Sequence, residues 1–261
     1  MDDAEIKEMV RARYGGIAAA ETSCCAPEPS SGCGPEAHPN DKARRMGYSE
    51  AELAAIPEGA NLGLGCGNPQ AIAAMQPGET VVDLGSGAGF DCFLAAQQVG
   101  DTGHVIGVDM THEMLKKARD NAASIGASNV EFRLGELEHL PIADNTADVV
   151  ISNCVINLVP DKEQVFREAF RVLKPGGRLA VSDIINTAPL PAELQSDAVL
   201  LCGCIAGAAP AERVESWLAT VGFVDIRVSP KPESRELIKM WAPGRNIEDH
   251  IVSAIVEARK P

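Results

Sequence analysis

The stretch Thr80-Val81-Val82-Asp83-Leu84-Gly85-Ser86-Gly87-Ala88-Gly89 decides the fold. It reads as a buried strand over 80–85 that turns through glycines into a helix over roughly 90–98. Glycines at such a turn let the backbone bend tightly and approach a ligand, with the N–H groups of the following helix aimed at it. Gly-x-Gly-x-Gly alone is shared by many nucleotide-binding folds, so the next strand matters. That strand, HVIGVDM (104–110), carries Asp109 twenty residues after Gly89, placed to accept the two ribose hydroxyls of an adenosine. The loop has Asp83 ahead of its first glycine and lacks the Gly-x-Gly-x-x-Gly frame of nicotinamide binders.

Working outward, Thr111 is expected to cap a helix over HEMLKKARDNAASIG, followed by a third strand at 130–135 and a fourth at 147–153. A helix is expected at 162–173, stopped by Pro175-Gly176-Gly177, and then a fifth strand at 178–185. Apolar strands alternating with amphipathic helices define an α/β fold with a mostly parallel, doubly wound sheet. Beyond it lie a helical region around 190–221 and strands at 223–230 and 251–260, placed to supply antiparallel edge strands. Before it lie a helix over 1–13 with Ile6, Met9 and Val10 on one face, a Pro/Ser/Gly-rich loop at 22–40, and short helices over 48–75 broken by a glycine-rich turn. The expected division is an N-terminal helical segment with a cysteine-containing loop (1–68), a Rossmann-like cofactor-binding domain (69–187) and a smaller C-terminal region that covers the substrate and completes the sheet (188–261).

The 261 residues include 23 Lys and Arg against 37 Asp and Glu, a net charge of −14. That is the wrong sign for gripping phosphate backbones, and two Trp, two Tyr and six Phe make no base-stacking platform, so nucleic acid is not an expected partner. The first residues are acidic where a secretory signal would be basic, and the longest apolar run, 198–210, is short and contains glycines. No membrane association is expected, and a reducing, cytoplasmic setting is. There the eight cysteines persist as thiols, and none is paired at Cys-x-x-Cys spacing.

Ligands of open parallel sheets sit beyond the carboxyl ends of the strands. Cys154 directly follows Asn153 at the end of strand four, and Cys66 stands between Gly65 and Gly67. Cys204 belongs to the segment after strand five; if that segment is helical, Cys202 and Cys204 point to different faces and only one lines the pocket. Cys92 and Cys202 read as core packing, as do Tyr14 and Trp241. Three thiolates converging from separate segments make a trigonal soft-ligand site, which suits trivalent arsenic.

The ordered set VDLGSGAGFD, GVDM, GELEHLPIAD, SNCVINL and LKPGGRLAVSD resembles the motifs of class I S-adenosylmethionine-dependent methyltransferases over residues 70–185. The resemblance implies that Gly85, Ser86 and Gly87 surround the methionine end of the cofactor, with Asp83 also in the cofactor site, that Asp109 holds the ribose and Met110 packs on the adenine. Leu137 and Glu138 would meet the adenine amino edge, with Asn153 near the cofactor. From VRARYGGIA through GLGCGNP, SNCVINL and GCIAGA to SRELIKMWAPG the chain further resembles arsenite methyltransferases. That likeness implies As(III) as substrate on Cys66, Cys154 and Cys204, with thioredoxin or glutathione as reducing co-reactant. It also implies an N-terminal loop thiol that pairs with Cys66 during turnover, Cys33 being favoured over Cys24 and Cys25. Two rival functions are a methyltransferase acting on carbon of a quinone or other small molecule, which has no use for the thiols, and a non-catalytic thiolate binder of metalloids, which has no use for a cofactor loop.

Overall fold

The computed structural model describes residues 2–20, 38–195 and 197–261. Cys24, Cys25 and Cys33 lie outside the described residues. The N-terminal part contributes α1 (Asp3–Ala20), α2 (Pro39–Arg45), α3 (Glu50–Ala54) and α4 (Gln70–Ala73). Helix α1 runs seven residues beyond the expected end at 13, because Gly15 packs so closely on its neighbour that an added Cβ would lie 3.1 Å from the Glu113 carboxylate.

The alternating unit follows as β1 (Thr80–Leu84), α5 (Phe90–Val99), β2 (His104–Asp109), α6 (His112–Ile125), β3 (Val130–Leu134), β4 (Ala147–Asn153), α7 (Lys162–Val172) and β5 (Leu173–Asn186). The C-terminal part adds α8 (Ala192–Gln195), α9 (Ala198–Leu201), β6 (Ala209–Pro210), α10 (Ala211–Val221), β7 (Val224–Lys231), α11 (Arg235–Ile238) and β8 (Ile251–Arg259). The strands form one sheet in the order β3-β2-β1-β4-β5-β8-β7, with β6 beside β5. β1 to β5 are parallel, while β8 runs antiparallel between β5 and β7. The expected mostly parallel sheet with antiparallel strands at one edge is the fold observed.

The continuous apolar strands follow from burial on both faces. Val82 and Leu84 face a core that includes Val165, Phe166 and Ala169 of α7 and Leu218 of α10, whereas Val81, Val149 and Ile151 face Phe93 of α5 and Leu115 of α6. Two local expectations are corrected. Thr111 sits at the start of α6 without a side-chain cap; its own N–H instead donates to Asp109 Oδ1 at 2.8 Å. Pro175-Gly176-Gly177 falls inside β5 and not between two elements, because backbone bonds to Lys260, just past the end of β8, hold it: Lys260 N donates to Gly177 O at 2.9 Å and Gly176 N to Lys260 O at 2.9 Å.

Candidate active site

At the end of β1 the chain reverses through Gly85, Gly87 and Gly89, all at positive φ. A Cβ on Gly85 would stand 2.6 Å from Val155, so the turn tolerates no side chain there. The last residue of β2, Asp109, accepts from Gly87 N at 3.0 Å, which ties the glycine loop to the second strand. These strand ends border a cleft with about 1160 Å³ of space not taken by protein atoms, open solvent at its mouth included. Asp83, Gly85, Ser86, Gly87, Asp109, Met110, Leu137, Glu138 and Asn153, all read from the sequence, line it together.

The cleft is acidic. Burial, and next the neighbouring Asp91, push the Asp83 carboxyl well above the usual carboxylate range, and the Cys92 thiol donates to it at 3.2 Å. Burial also raises Asp109, against the N–H groups of Thr111 and Gly87 that favour its charged form. Buried carboxylates held up in this way gain from a cationic ligand. Ser86 Oγ is buried and has no hydrogen-bond partner. An acidic cleft with a glycine turn and an unpartnered hydroxyl fits S-adenosylmethionine, whose sulfonium and ammonium are both positive.

Helix α1 covers this cleft, a role its sequence pattern did not disclose. Lys7, Val10 and Tyr14 line it, Lys7 pairs with Glu138 at 3.0 Å and with Glu136 at 2.6 Å, and Tyr14 OH donates to Cys202 O at 3.1 Å. Tyr48 was missed as well. Its OH donates to Asp91 Oδ1 at 2.6 Å in a buried network with Asn153, whose Nδ2 donates to Asp91 Oδ2 at 3.0 Å. Asn153 Oδ1 in turn accepts from Cys66 N at 3.0 Å, so one amide joins the cofactor cleft to the Cys66 loop.

Cys66, Cys154 and Cys204 come together from three segments into one buried cluster with Leu158, Ile205 and Ile238. The Cys66 loop lies close against β5: a Cβ on Gly67 would stand 1.9 Å from Ser182 Oγ, and one on Gly65 would meet Asn153 at 2.7 Å. Cys154 and Cys204 are among the few non-glycine residues at positive φ, 61° and 64°. Such conformations are costly for residues with a Cβ and gather at functional sites. Cys204 is not helical: α9 ends at Leu201, and Cys204 stands in the turn after it, its thiol donating to Cys154 O at 2.8 Å. Cys202 is also buried, in the same cluster, and Cys92 is buried in the core beneath the glycine loop. Of the three, Cys154 alone lines the cofactor cleft.

Burial pushes the Cys66 thiol up to about 11, against the opposing hydrogen bond to Cys154. Cys154 is raised further, by burial, and Cys204 by its Cys154 neighbour and then by burial. All three are therefore neutral thiols near pH 7. The cluster also holds Asp183, which sequence reading overlooked although it closes the LKPGGRLAVSD motif. Its carboxylate lies with the Cys66 and Cys154 sulfurs in a set of ligand atoms all within 4.8 Å of one another, a set that does not include Cys204. Burial raises Asp183 to about 6, opposed by the N–H groups of Ile184 and Ile156.

A doubly wound sheet with an acidic, glycine-lined cleft at the β1 and β2 ends defines a class I S-adenosylmethionine-dependent methyltransferase. Residues 75–223 match the family model described as a methyltransferase domain. The chain is 52% identical to an arsenite methyltransferase of Halobacterium salinarum, over 100% of this chain and 68% of that protein. It is 46% identical to an arsenite methyltransferase of Aquipseudomonas alcaligenes over 63% of this chain, spanning about half (49%) of that relative's length. Among solved structures it resembles an arsenic(III) S-adenosylmethionine methyltransferase from Chlamydomonas reinhardtii, with TM-score 0.61 and 34% identity, covering 84% of this chain and 73% of that one. The chain belongs to the arsenite methyltransferase family.

Proposed function

We propose that the protein methylates trivalent arsenic with S-adenosylmethionine, holding As(III) on Cys66, Cys154 and Cys204. The observation that carries this reading is the position of Cys154, which lines the cofactor cleft and neighbours both other thiols. Neutral thiols match neutral arsenite: each S–H proton leaves with an arsenic hydroxyl as water, so no net charge enters the buried cluster. When bound, S-adenosylmethionine supplies a methyl group on a positive sulfonium, which the arsenic lone pair can displace in line.

The residues of the chain then have mainly to orient and to exclude water. Asp83, Gly85, Ser86 and Gly87 would hold the methionine end, Asp109 the ribose, Met110 and Leu137 the adenine faces. Glu138 would serve its amino edge, although its carboxylate also answers to Lys7. Leu158, Leu190, Leu194, Ile205 and Ile238 surround the thiols with apolar surface. Asn153 would keep the Cys66 loop in register with the cofactor cleft.

Giving up its lone pair leaves arsenic oxidised by two electrons. Two thiols passing to a disulfide return them, and Cys66 with a loop thiol (Cys33, or Cys24 or Cys25) is the pair we propose, reset by thioredoxin or glutathione. The five cysteines among the described residues are free thiols, which suits a cytoplasmic setting, and no helix among those residues is long and apolar enough to cross a membrane. Segments 1–68, 69–187 and 188–261 divide this work into cover and redox loop, cofactor binding, and completion of the arsenic site and sheet.

The test is a product assay: arsenite, S-adenosylmethionine and a thiol with the full chain, arsenic being speciated over time. Methylated arsenic accompanied by S-adenosylhomocysteine is expected. Tight As(III) binding without S-adenosylhomocysteine, or turnover only with a quinone precursor, would overturn the reading.

A further inference from the structure

The proposed arsenic site draws on three thiols, yet among the described residues the potential metal-ligand atoms that lie within 4.8 Å of one another belong to two thiols and a carboxylate: Cys66, Cys154 and Asp183. From this juxtaposition we infer that the protein has a second, mutually exclusive binding mode, in which Cys66, Cys154 and Asp183 hold a thiophilic divalent cation of the zinc class. The inference rests on the proposed arsenic site only in sharing two of its thiols.

The donor chemistry fits. Zinc-class ions accept thiolate sulfur at about 2.3 Å and carboxylate oxygen at about 2.0–2.2 Å, so tetrahedral neighbours lie roughly 3.3–3.8 Å apart. Atoms already within 4.8 Å of one another reach that spacing by shifts of side chains alone. Asp183 is oriented as a ligating carboxylate is: Oδ2 accepts from Ile156 N at 3.0 Å, and Oδ1 from Ile184 N at 2.7 Å and Asn157 Nδ2 at 2.9 Å. These three donors fix the carboxylate and leave one of its roughly four lone-pair sites for a ligand, the supporting shell that metal ligands require.

Charge decides between the two occupants. Two thiolates and a carboxylate around a divalent ion leave one negative charge, and the Lys162 ammonium, which acts on Asp183 electrostatically, balances it. Binding sends the two thiol protons to solvent. With As(III), three thiolates neutralise the arsenic and Asp183 and Lys162 neutralise each other. Cys204 therefore separates the modes: it is needed for arsenic, and its thiol points at the Cys154 carbonyl in the geometry that completes the divalent set without it. Since both modes consume Cys66 and Cys154, a bound divalent ion excludes arsenite and stops methylation until it is chelated.

The test uses cobalt(II) as the probe on the reduced full chain, read by the thiolate charge-transfer and tetrahedral absorption bands, with thiols protected by arsenite counted in parallel. The bands should vanish in Cys66→Ser, weaken at least tenfold in affinity in Asp183→Asn (no less than the roughly 10–100-fold loss on mutating a residue that only supports a metal ligand), and persist in Cys204→Ser. Arsenite protection should show the opposite pattern, unchanged at three thiols in Asp183→Asn and reduced to two in Cys204→Ser. Bands that survive Asp183→Asn unchanged, or that disappear in Cys204→Ser, overturn the inference. Because Asp183→Asn removes a buried charge and can unfold the chain, zinc X-ray absorption on the unaltered protein provides a second reading: two sulfur neighbours with oxygen support the site, and three sulfurs refute it. Failure of arsenite to protect any thiol would sink the arsenic reading alone.

Discussion

The cofactor cleft and the thiol cluster share a wall at Cys154 but are built by different means. The cleft is a product of the regular sheet: its cofactor residues stand at the ends of β1, β2 and β4 or in the segments that follow β1, β2 and β3, held by parallel ladders whose register runs from Thr80–His104 to Leu84–Val108. The thiol cluster comes from places where regular structure stops. Cys66 sits in a loop pinned between two glycines, and Cys154 and Cys204 take left-handed backbone at the ends of β4 and α9. Strain of this kind costs on the order of 1–3 kcal/mol per residue and persists only where the surroundings enforce it. The cofactor half is thus a general device, and the thiol half is a specialised one fastened to it through Asn153 and the β5 backbone.

The largest effect should come from breaking the shared wall. Cys154→Ser is expected to lower arsenite methylation by at least about a hundredfold, the scale set by misplacing a reacting group. S-adenosylmethionine affinity, measured by calorimetry, should change little in that variant. Damage to the general half should look different. Asp109→Asn removes the charged acceptor of the Gly87 and Thr111 N–H groups, and should weaken cofactor binding about 10- to 100-fold, as hydrogen bonds to charged groups contribute roughly 1.5–3 kcal/mol. The number of thiols protected by arsenite should stay the same there.

The smallest effect is on stability against pH. The folded chain keeps the Cys66 proton up to about 11, where the thiol's ordinary value is 9.0. Between those values the unfolded chain has released a proton that the folded chain retains, so stability falls as pH rises and is unaffected below about pH 9. Melting temperature should accordingly drop from ~pH 8 to ~pH 10, and the drop should shrink with arsenite bound, because arsenic-bound sulfurs carry no proton. An equal drop with and without arsenite would place the titrating groups elsewhere.

The same contrast explains what could be read in the amino-acid sequence. The cofactor half was legible because its residues lie at fixed steps from strand ends: Asp83, Gly85 and Asp109 follow from local apolar runs and glycine spacing, and the four strands of that half fall within a residue of expectation. Cys66 and Cys154 were found because glycine neighbours and a strand end are local signals too. Cys204 was found by its place in the segment after strand five, but that segment was read as helical there, since nothing local marks the turn at Leu201–Cys204. Asp183, Tyr48 and Lys7 were missed for another reason. Their roles arise from contacts across the chain, Tyr48 with Asp91 and Lys7 with Glu138, that no periodicity records. Asp183 did carry a signal, an acid at the carboxyl end of a central parallel strand, where ligands of such sheets gather.

The central claim is that three thiols from three irregular segments hold one arsenic atom beside the cofactor cleft, and arsenic X-ray absorption on the arsenite complex tests it most directly. Three sulfur neighbours are expected in the unaltered protein and in Cys202→Ser, and two in each of Cys66→Ser, Cys154→Ser and Cys204→Ser. Three sulfurs remaining in Cys204→Ser, or only two in the unaltered protein, would contradict it.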